Sequence, residues 1–273
     1  MEKTNVFSTE TRVAIVTGGN KGIGLEICRQ LASNGVTVIL TALNENWGIE
    51  AIENLKVSGL VNNAAESGMI VHYDEFRAFK DGAGYEQVFD ENAHLLSGIL
   101  DQPYDLGEGC IRTNYYGTKA VTEAILPLLQ LADSPRIVNV SSNYGELQWI
   151  HNEKVKAELQ DIDNLTEDRI DGIIDWFLKD LKANKLSENG WPLTVAAYKV
   201  SKATINAYTR LLARKFHKIL VNCVHPGYVI TDFTSHTGHL TPEEGARAPV
   251  MVALLPDDGP SGVYFNQMQI SSF

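Results

Sequence analysis

Short apolar runs punctuated by glycine alternate along the chain with longer stretches in which apolar residues recur every three or four positions. That alternation predicts strands interleaved with helices. Val13 to Val16 is a largely β-branched run ending in a glycine cluster, the pattern of a buried parallel strand. Ile23, Ile27 and Leu31 then repeat at spacing four, so a helix follows, and Gly35 stops it just before a second strand, Val36 to Leu40. A helical stretch from about Gly107 to Leu131 leads to a strand at Ile137 to Val140, and a long helix over roughly Val195 to Phe216 feeds another at Ile219 to Val224. Gly262 to Gln267 reads as the last strand. The order predicts an α/β fold, a doubly wound Rossmann-type parallel sheet with helices on both faces.

Two stretches fall outside the alternation, between Asn62 and Asn114 and between Ser142 and Tyr198. In the second, Thr166 followed by Glu167 and Asp168 opens a helix with acids at its positive dipole end. Ile170, Ile173, Ile174, Phe177, Leu178 and Leu181 mark one apolar face, and Lys182 and Lys185 close the helix. This face either packs on the body of the protein or also roofs a pocket, and the two readings are compatible.

With 273 residues, 44% of them hydrophobic, the chain can form one large domain over residues 1–273, and no Pro/Gly/Ser-rich linker divides it. A net charge of −11 and a pI near 5.1 argue against nucleic acid or an anionic membrane as partner. An anionic ligand must therefore be gripped locally, by backbone amides and a few lysines. Cys28, Cys110 and Cys223 lie in apolar segments without metal or disulfide spacing and read as buried thiols in a reducing compartment. Met1 to Arg12 is polar and the first apolar run is only Val13 to Val16, so neither a signal peptide nor a membrane span is expected, and the location expected is cytoplasmic.

The chemistry centres on Tyr198-Lys199-Val200-Ser201-Lys202, where a tyrosine and a lysine four apart share one helix face and the ammonium can hold the phenol near its proton-transfer threshold. Upstream stand Thr17-Gly18-Gly19-Asn20-Lys21-Gly22-Ile23-Gly24, then Asn62-Asn63-Ala64-Ala65, Asn114, and the strand Arg136 to Ser142. Together and in this order they resemble the short-chain dehydrogenase/reductase family over nearly the whole chain. Asn114-Tyr115-Tyr116-Gly117, Leu126 to Leu131 and Leu255 to Gly262 are similar to its monomeric, carbonyl-reductase-like plant members. The resemblance implies reversible, NADPH-dependent reduction of a ketone on a bulky apolar small molecule, such as a terpenoid or alkaloid, with no metal. Most of the family has only about a dozen residues between the serine and the tyrosine. The stretch before Tyr198 therefore reads as an added lid that covers the usual association surface, so a monomer is implied. The lid insertions are placed at about 66–109 and 146–190, both helical.

The resemblance also assigns roles. Gly18, Gly22 and Gly24, with Asn20 and Ile23, form a loop whose backbone lets a pyrophosphate approach a helix N-terminus. Lys21 occupies the position that faces the 2′-phosphate of NADP, favouring NADPH over NADH, although Leu43 stands where relatives carry a phosphate-binding arginine. Asn62, Asn63 and Ala64 line the cofactor, and Ala65 in place of the family's glycine makes the turn differ or accept strain. Ser142 bonds the substrate carbonyl, with Ser141 as fallback and Tyr144 as a pocket-lining aromatic. Tyr198 is the general acid, Lys202 stabilises the phenolate and anchors the ribose, and Asn114 holds a water that relays protons from Lys202. Pro226, Gly227, Val229 and Thr231 grip the carboxamide. His236 and His239 read as loop residues, His225 as packing, and Trp149, Trp176 and Trp191 as a lid core or an apolar pocket wall.

One shortfall stands against the family pattern. Between Gly18 and Asn62 the chain is too short by about thirty residues for the usual third strand and its helix. The edge strand is therefore expected to be absent, with the deletion placed between Lys56 and Leu60. A natural deletion, a gene-model error and an engineered cut all fit. Two other functions stay open: reduction of a conjugated C=C bond, which relatives perform after replacing the tyrosine, and a cofactor-binding or scaffold protein impaired by the missing segment.

Overall fold

The computed structural model describes residues 12–41, 57–83, 90–96 and 98–273. At its centre Val13–Val16 (β1), buried throughout, pairs in parallel with Thr37–Leu40 (β2) on one side and Val57–Asn62 (β3) on the other. Ile70–Val71 (β4) and Leu100–Asp101 (β5) form a separate antiparallel ladder. Arg136–Val140 (β6), Leu220–His225 (β7) and Tyr264–Asn266 (β8) extend the main sheet in parallel beyond β3. Gln269–Ser271 (β9) returns antiparallel, giving the order β2-β1-β3-β6-β7-β8-β9. The helices are Gly22–Ser33 (α1), Tyr73–Ala83 (α2), Tyr104–Ile111 (α3), Thr118–Leu129 (α4), Glu153–Gln160 (α5), Glu167–Lys182 (α6), Ala196–Lys215 (α7) and Pro242–Ala253 (α8).

Side chains alternate along each strand, so the sheet feeds two apolar layers. Ala14, Val16, Val61, Val138 and Val224 pack with Ile27 and Leu31 of α1 and Val250 and Val252 of α8. Ile15, Leu60, Ile137 and Val221 join the opposite layer, with Ile125 and Leu129 of α4 and Ala203, Ala207 and Tyr208 of α7. Helix α6 belongs to that second layer. Thr166 caps it by accepting from the Arg169 amide, and Ile170, Ile174 and Phe177 are fully buried. Burying three such side chains contributes roughly 4 to 9 kcal/mol as an upper bound. The apolar face read from the sequence therefore packs on the body.

Several expectations are corrected. The first added stretch is not wholly helical, since β4 and β5 lie within it. The helix expected from Gly107 begins at Tyr104 and widens over Arg112–Gly117 into a π turn. Within the interval where the gap was placed, Val57 and Gly59 are paired with β1. Among the described residues β2 is the sheet edge and no further strand flanks it. Leu43 and the connection from Asn44 to Lys56 lie outside the described residues. Ala65 accepts no strain, for it is absent from the residues with positive φ, and the turn takes its left-handed residue at Gly68 instead. No helix among the described residues is long and apolar enough to cross a membrane.

Candidate active site

The loop after β1 is built for close backbone approach. Gly18 and Gly22 have φ of +62° and +55°, which glycine adopts without penalty. A Cβ on Gly24 would lie 2.2 Å from the Gly18 carbonyl oxygen, so only hydrogen fits there. Helix α1 then starts with no side-chain cap and no acid in its first turn, leaving amides and the positive dipole end available to an anion. The residues present thus suit a pyrophosphate. Asn20 is exposed beside this loop, whereas Ile23 is half-buried against the α1 and α8 layer. Ala64 is exposed next to Gly18. Asn63 secures the loop from below, its Nδ2 donating to the carbonyls of Thr17 (3.0 Å) and Gly18 (3.3 Å). Asn62 departs from expectation. Its side chain is buried in the sheet, donating to Asn139 and Thr122, and does not face the loop.

The end of β6 meets the first turns of α7. Ser142 caps a short 3-10 turn, accepting from the Tyr144 amide, and its hydroxyl hydrogen-bonds the Tyr198 phenol. Ser141, the fallback, is taken: its hydroxyl donates to Asn206 at 2.6 Å in the core. Lys202 lies one turn beyond Tyr198, its Nζ 5.4 Å from the Tyr198 ring centre and donating to the Val140 carbonyl at 2.8 Å. Burial pushes the Tyr198 phenol well above its ordinary range, and the Ser142 bond pulls it only part of the way back. Burial also lowers Lys202 to about 8. Lys202 donates to a backbone carbonyl here and, at about 8, keeps most of its charge near neutral pH. Tyr198 holds its proton, the form a general acid requires.

Asn114 sits in the π turn, a widening that recurs at functional sites. Its amide exchanges bonds with the Glu66 backbone, accepting from N (2.8 Å) and donating to O (3.0 Å), and also donates to the Ser201 hydroxyl at 3.0 Å. Ser201 in turn donates to the Tyr198 carbonyl. The side chain thus ties the loop after β3 to α7. The start of α7 is strained: Val195, β-branched, is left-handed at φ 51°. Gln102 clamps both sides of this turn, donating to the Leu193 carbonyl and accepting from the Ala196 amide.

The segment after β7 forms the opposite wall. Gly227 has φ +94°, a conformation that strains any residue with a Cβ, and Pro226 precedes it. Thr231 approaches the glycine loop at Gly22. The Val229 side chain is buried and packs on Gly245 of α8, which seats the segment. Lys21 Nζ pairs with Asp232 at 2.8 Å, both side chains being exposed. Asp232 also takes His236 at 3.2 Å, and its carboxyl is held below its ordinary range by the Lys21 bond and charge. His239 packs its ring on Tyr228, and His225, largely buried, has its pKa lowered to about 4.

An aromatic row flanks the phenol. Tyr198 lies between Tyr144, at 6.5 Å, and the exposed ring of Phe233, at 5.6 Å, and Trp149 backs Tyr144 at 5.4 Å. Trp176 and Trp191 instead pack with Phe177 in the lid core. Phe233, Gln102 and Lys199 were not singled out from the sequence. Lys199 carried a signal: Ala196, Lys199, Ala203 and Ala207 repeat at spacing three and four along the buried face of α7.

Residues 12–154 match the family described as short chain dehydrogenase. A short-chain dehydrogenase/reductase 1 of Saponaria officinalis is 44% identical, with all of both chains covered. That alignment runs over 308 positions against the 273 residues here, so the relative has positions with no counterpart in this chain. The structure of salutaridine reductase from Papaver somniferum superposes with a TM-score of 0.81 at 43% identity, covering 94% of this chain and 99% of that one. Menthone neomenthol reductase from Mentha piperita gives 0.78 at 37% identity, covering 95% and 100%. The chain belongs to the short-chain dehydrogenase/reductase family.

Proposed function

We propose that this protein is an NADPH-dependent reductase that converts a ketone on a bulky apolar small molecule, a terpenoid or alkaloid, into a secondary alcohol. The observation that carries the reading is the half-buried Tyr198 phenol, hydrogen-bonded to Ser142 and flanked by aromatic rings. The names of the two relatives of known structure, a salutaridine reductase and a menthone neomenthol reductase, support the substrate class. A nicotinamide cofactor goes with the family, and the choice of NADPH rests on Lys21.

NADPH, when bound, supplies the hydride that adds to the carbonyl carbon. The chain's residues do the rest. Gly18, Gly22 and Gly24 admit the pyrophosphate to the N-terminus of α1, and Lys21 exchanges Asp232 for the 2′-phosphate. Ser142 donates a hydrogen bond to the carbonyl oxygen, and Tyr198 delivers its proton to the same oxygen, completing the alcohol. Lys202 holds the ribose hydroxyls. Asn114 keeps the loop after β3 and helix α7 in register, a positioning role. The protein acts as a monomer in the cytoplasm, with its added stretch covering the family's usual association surface.

The test is to incubate purified protein with NADPH and menthone and identify products by mass spectrometry. An alcohol is expected. Absence of any alcohol from a panel of cyclic ketones refutes the reading, and saturation of an enone C=C bond with the carbonyl retained replaces it.

A further inference from the structure

Within the Tyr198 to Lys202 motif lies a second lysine that the proposed mechanism does not use. Lys199 is 0% exposed, one of the largest fully buried side chains of the molecule. Its Nζ donates to the Thr194 hydroxyl at 3.0 Å and stands 4.5 Å from the centre of the Trp149 ring and 5.4 Å from that of Tyr144. An ammonium over two ring faces is attracted by their quadrupoles, and the attraction strengthens when water is excluded, as here.

The two rings are not equivalent. Trp149 is buried, its indole N–H fixed by the Asn143 carbonyl at 2.9 Å, whereas Tyr144 is half-buried and meets Tyr198 edge-on. Tyr144 also shares its short turn with Ser142. Anything that fixes the Tyr144 ring therefore fixes the wall beside both the hydroxyl that receives a carbonyl and the phenol that protonates it. On its other side Lys199 holds Thr194, the residue before the strained Val195 turn that starts α7.

We propose that Lys199 is a positioning residue: its buried ammonium fixes Trp149 and Tyr144 as a rigid aromatic wall against which the ring system of a bulky cyclic ketone is bound. This rests on the ketone-reductase reading for its substrate but not for the wall itself. A small ketone that does not reach the wall should be indifferent to it. A bulky one should lose binding while its chemistry, which depends on Ser142 and Tyr198, continues.

The test compares Lys199→Met, which keeps an unbranched stem and removes the charge, with Lys199→Arg, which restores a cation. For Lys199→Met the KM for menthone should rise about tenfold while kcat changes less than about threefold. The KM for acetone and the NADPH dissociation constant should stay put, and Lys199→Arg should return most of the menthone loss. Independently of turnover, the fluorine resonance of Trp149 in fluorotryptophan-labelled protein, assigned by its loss in Trp149→Phe, should shift and broaden in Lys199→Met. An unchanged fluorine line overturns the proposal. So does a fall in melting temperature and NADPH affinity without a selective rise in the menthone KM, which marks a role in folding alone. If the wild type reduces no ketone the proposed function fails, and the fluorine line still decides the wall. Should Lys199→Met not fold, Thr194→Val, which removes only the hydroxyl acceptor, must move the same line, and no movement overturns the proposal.

Discussion

Gly24→Ala tests the cofactor loop where space is tightest. A Cβ at this position lies 2.2 Å from the Gly18 oxygen, 2.6 Å from Asn63 Nδ2 and 2.9 Å from the Gly18 carbonyl carbon. Backbone cannot rotate away as a side-chain tip does. Gly18 is already left-handed and close against Ala64, and Asn63 Nδ2 is bonded to two loop carbonyls. Relief requires a movement of about 1 Å that breaks both bonds, each worth about 1 kcal/mol net. Overpacking adds about 1 to 3 kcal/mol, for about 3 to 5 in all. At about 2 °C per kcal/mol for a domain of this size, the melting temperature should fall by about 6 to 10 °C. If the loop yields instead, the strain moves to the ligand and weakens NADPH by about a hundredfold, the equivalent of about 3 kcal/mol. Thermal melts read the first outcome and calorimetry of NADPH binding the second. Gly172→Ala is the control, because nothing lies within 4 Å of its Cβ in the interior of α6. It should stabilise by about 0.5 to 1 kcal/mol. A Gly24→Ala protein that melts within about 1 °C of wild type and binds NADPH within about threefold refutes the reasoning.

Four further outcomes are expected. Tyr198→Phe should lower ketone reduction by about two to four orders of magnitude while NADPH still binds, and retention of more than about a tenth of wild-type turnover would remove Tyr198 from its role. Burial lowers Lys202 to about 8, so the fraction of ammonium available to the ribose falls as pH rises through that value. NADPH affinity should decline above it in the wild type and be flat in Lys202→Met, and a flat wild-type profile contradicts the assignment. Light scattering should return a mass near 30.1 kDa, and twice or four times that value excludes the monomer. Grafting a relative's extra segment before Val57 should tighten NADPH binding by restoring the adenine side, and equal dissociation constants by calorimetry at matched salt would show that the shortening does not matter.

The alternation of strands and helices was legible because a parallel sheet covered on both faces demands continuous apolar runs, as in Val13 to Val16, separated by periodic helices. Tyr198 and Lys202 were legible for a local reason, one helical turn between them. What stayed hidden depends on partners distant in sequence. Asn62 and Asn63 are adjacent, yet strand alternation sends the first into the sheet toward Asn139 and leaves the second under the glycine loop. Lys21 meets an aspartate 211 positions away. Val195 has no local signal for a left-handed turn, since β-branched residues disfavour it, and the Gln102 bonds on both sides of it come from 91 and 94 positions away.

That clamp bears on how such a chain can be rebuilt. Gln102 belongs to the first added stretch, while the turn it grips aims the opening of α7 and with it Tyr198. A stretch that looks like a detachable cassette for substrate choice is therefore also a jig for the proton donor. Swapping it for a relative's version changes two things at once. A chimera that trades this stretch without a matching amide at position 102 inherits new pocket walls and a catalytic helix that no longer starts in register, so lost activity in such a hybrid reports the joint and not the pocket.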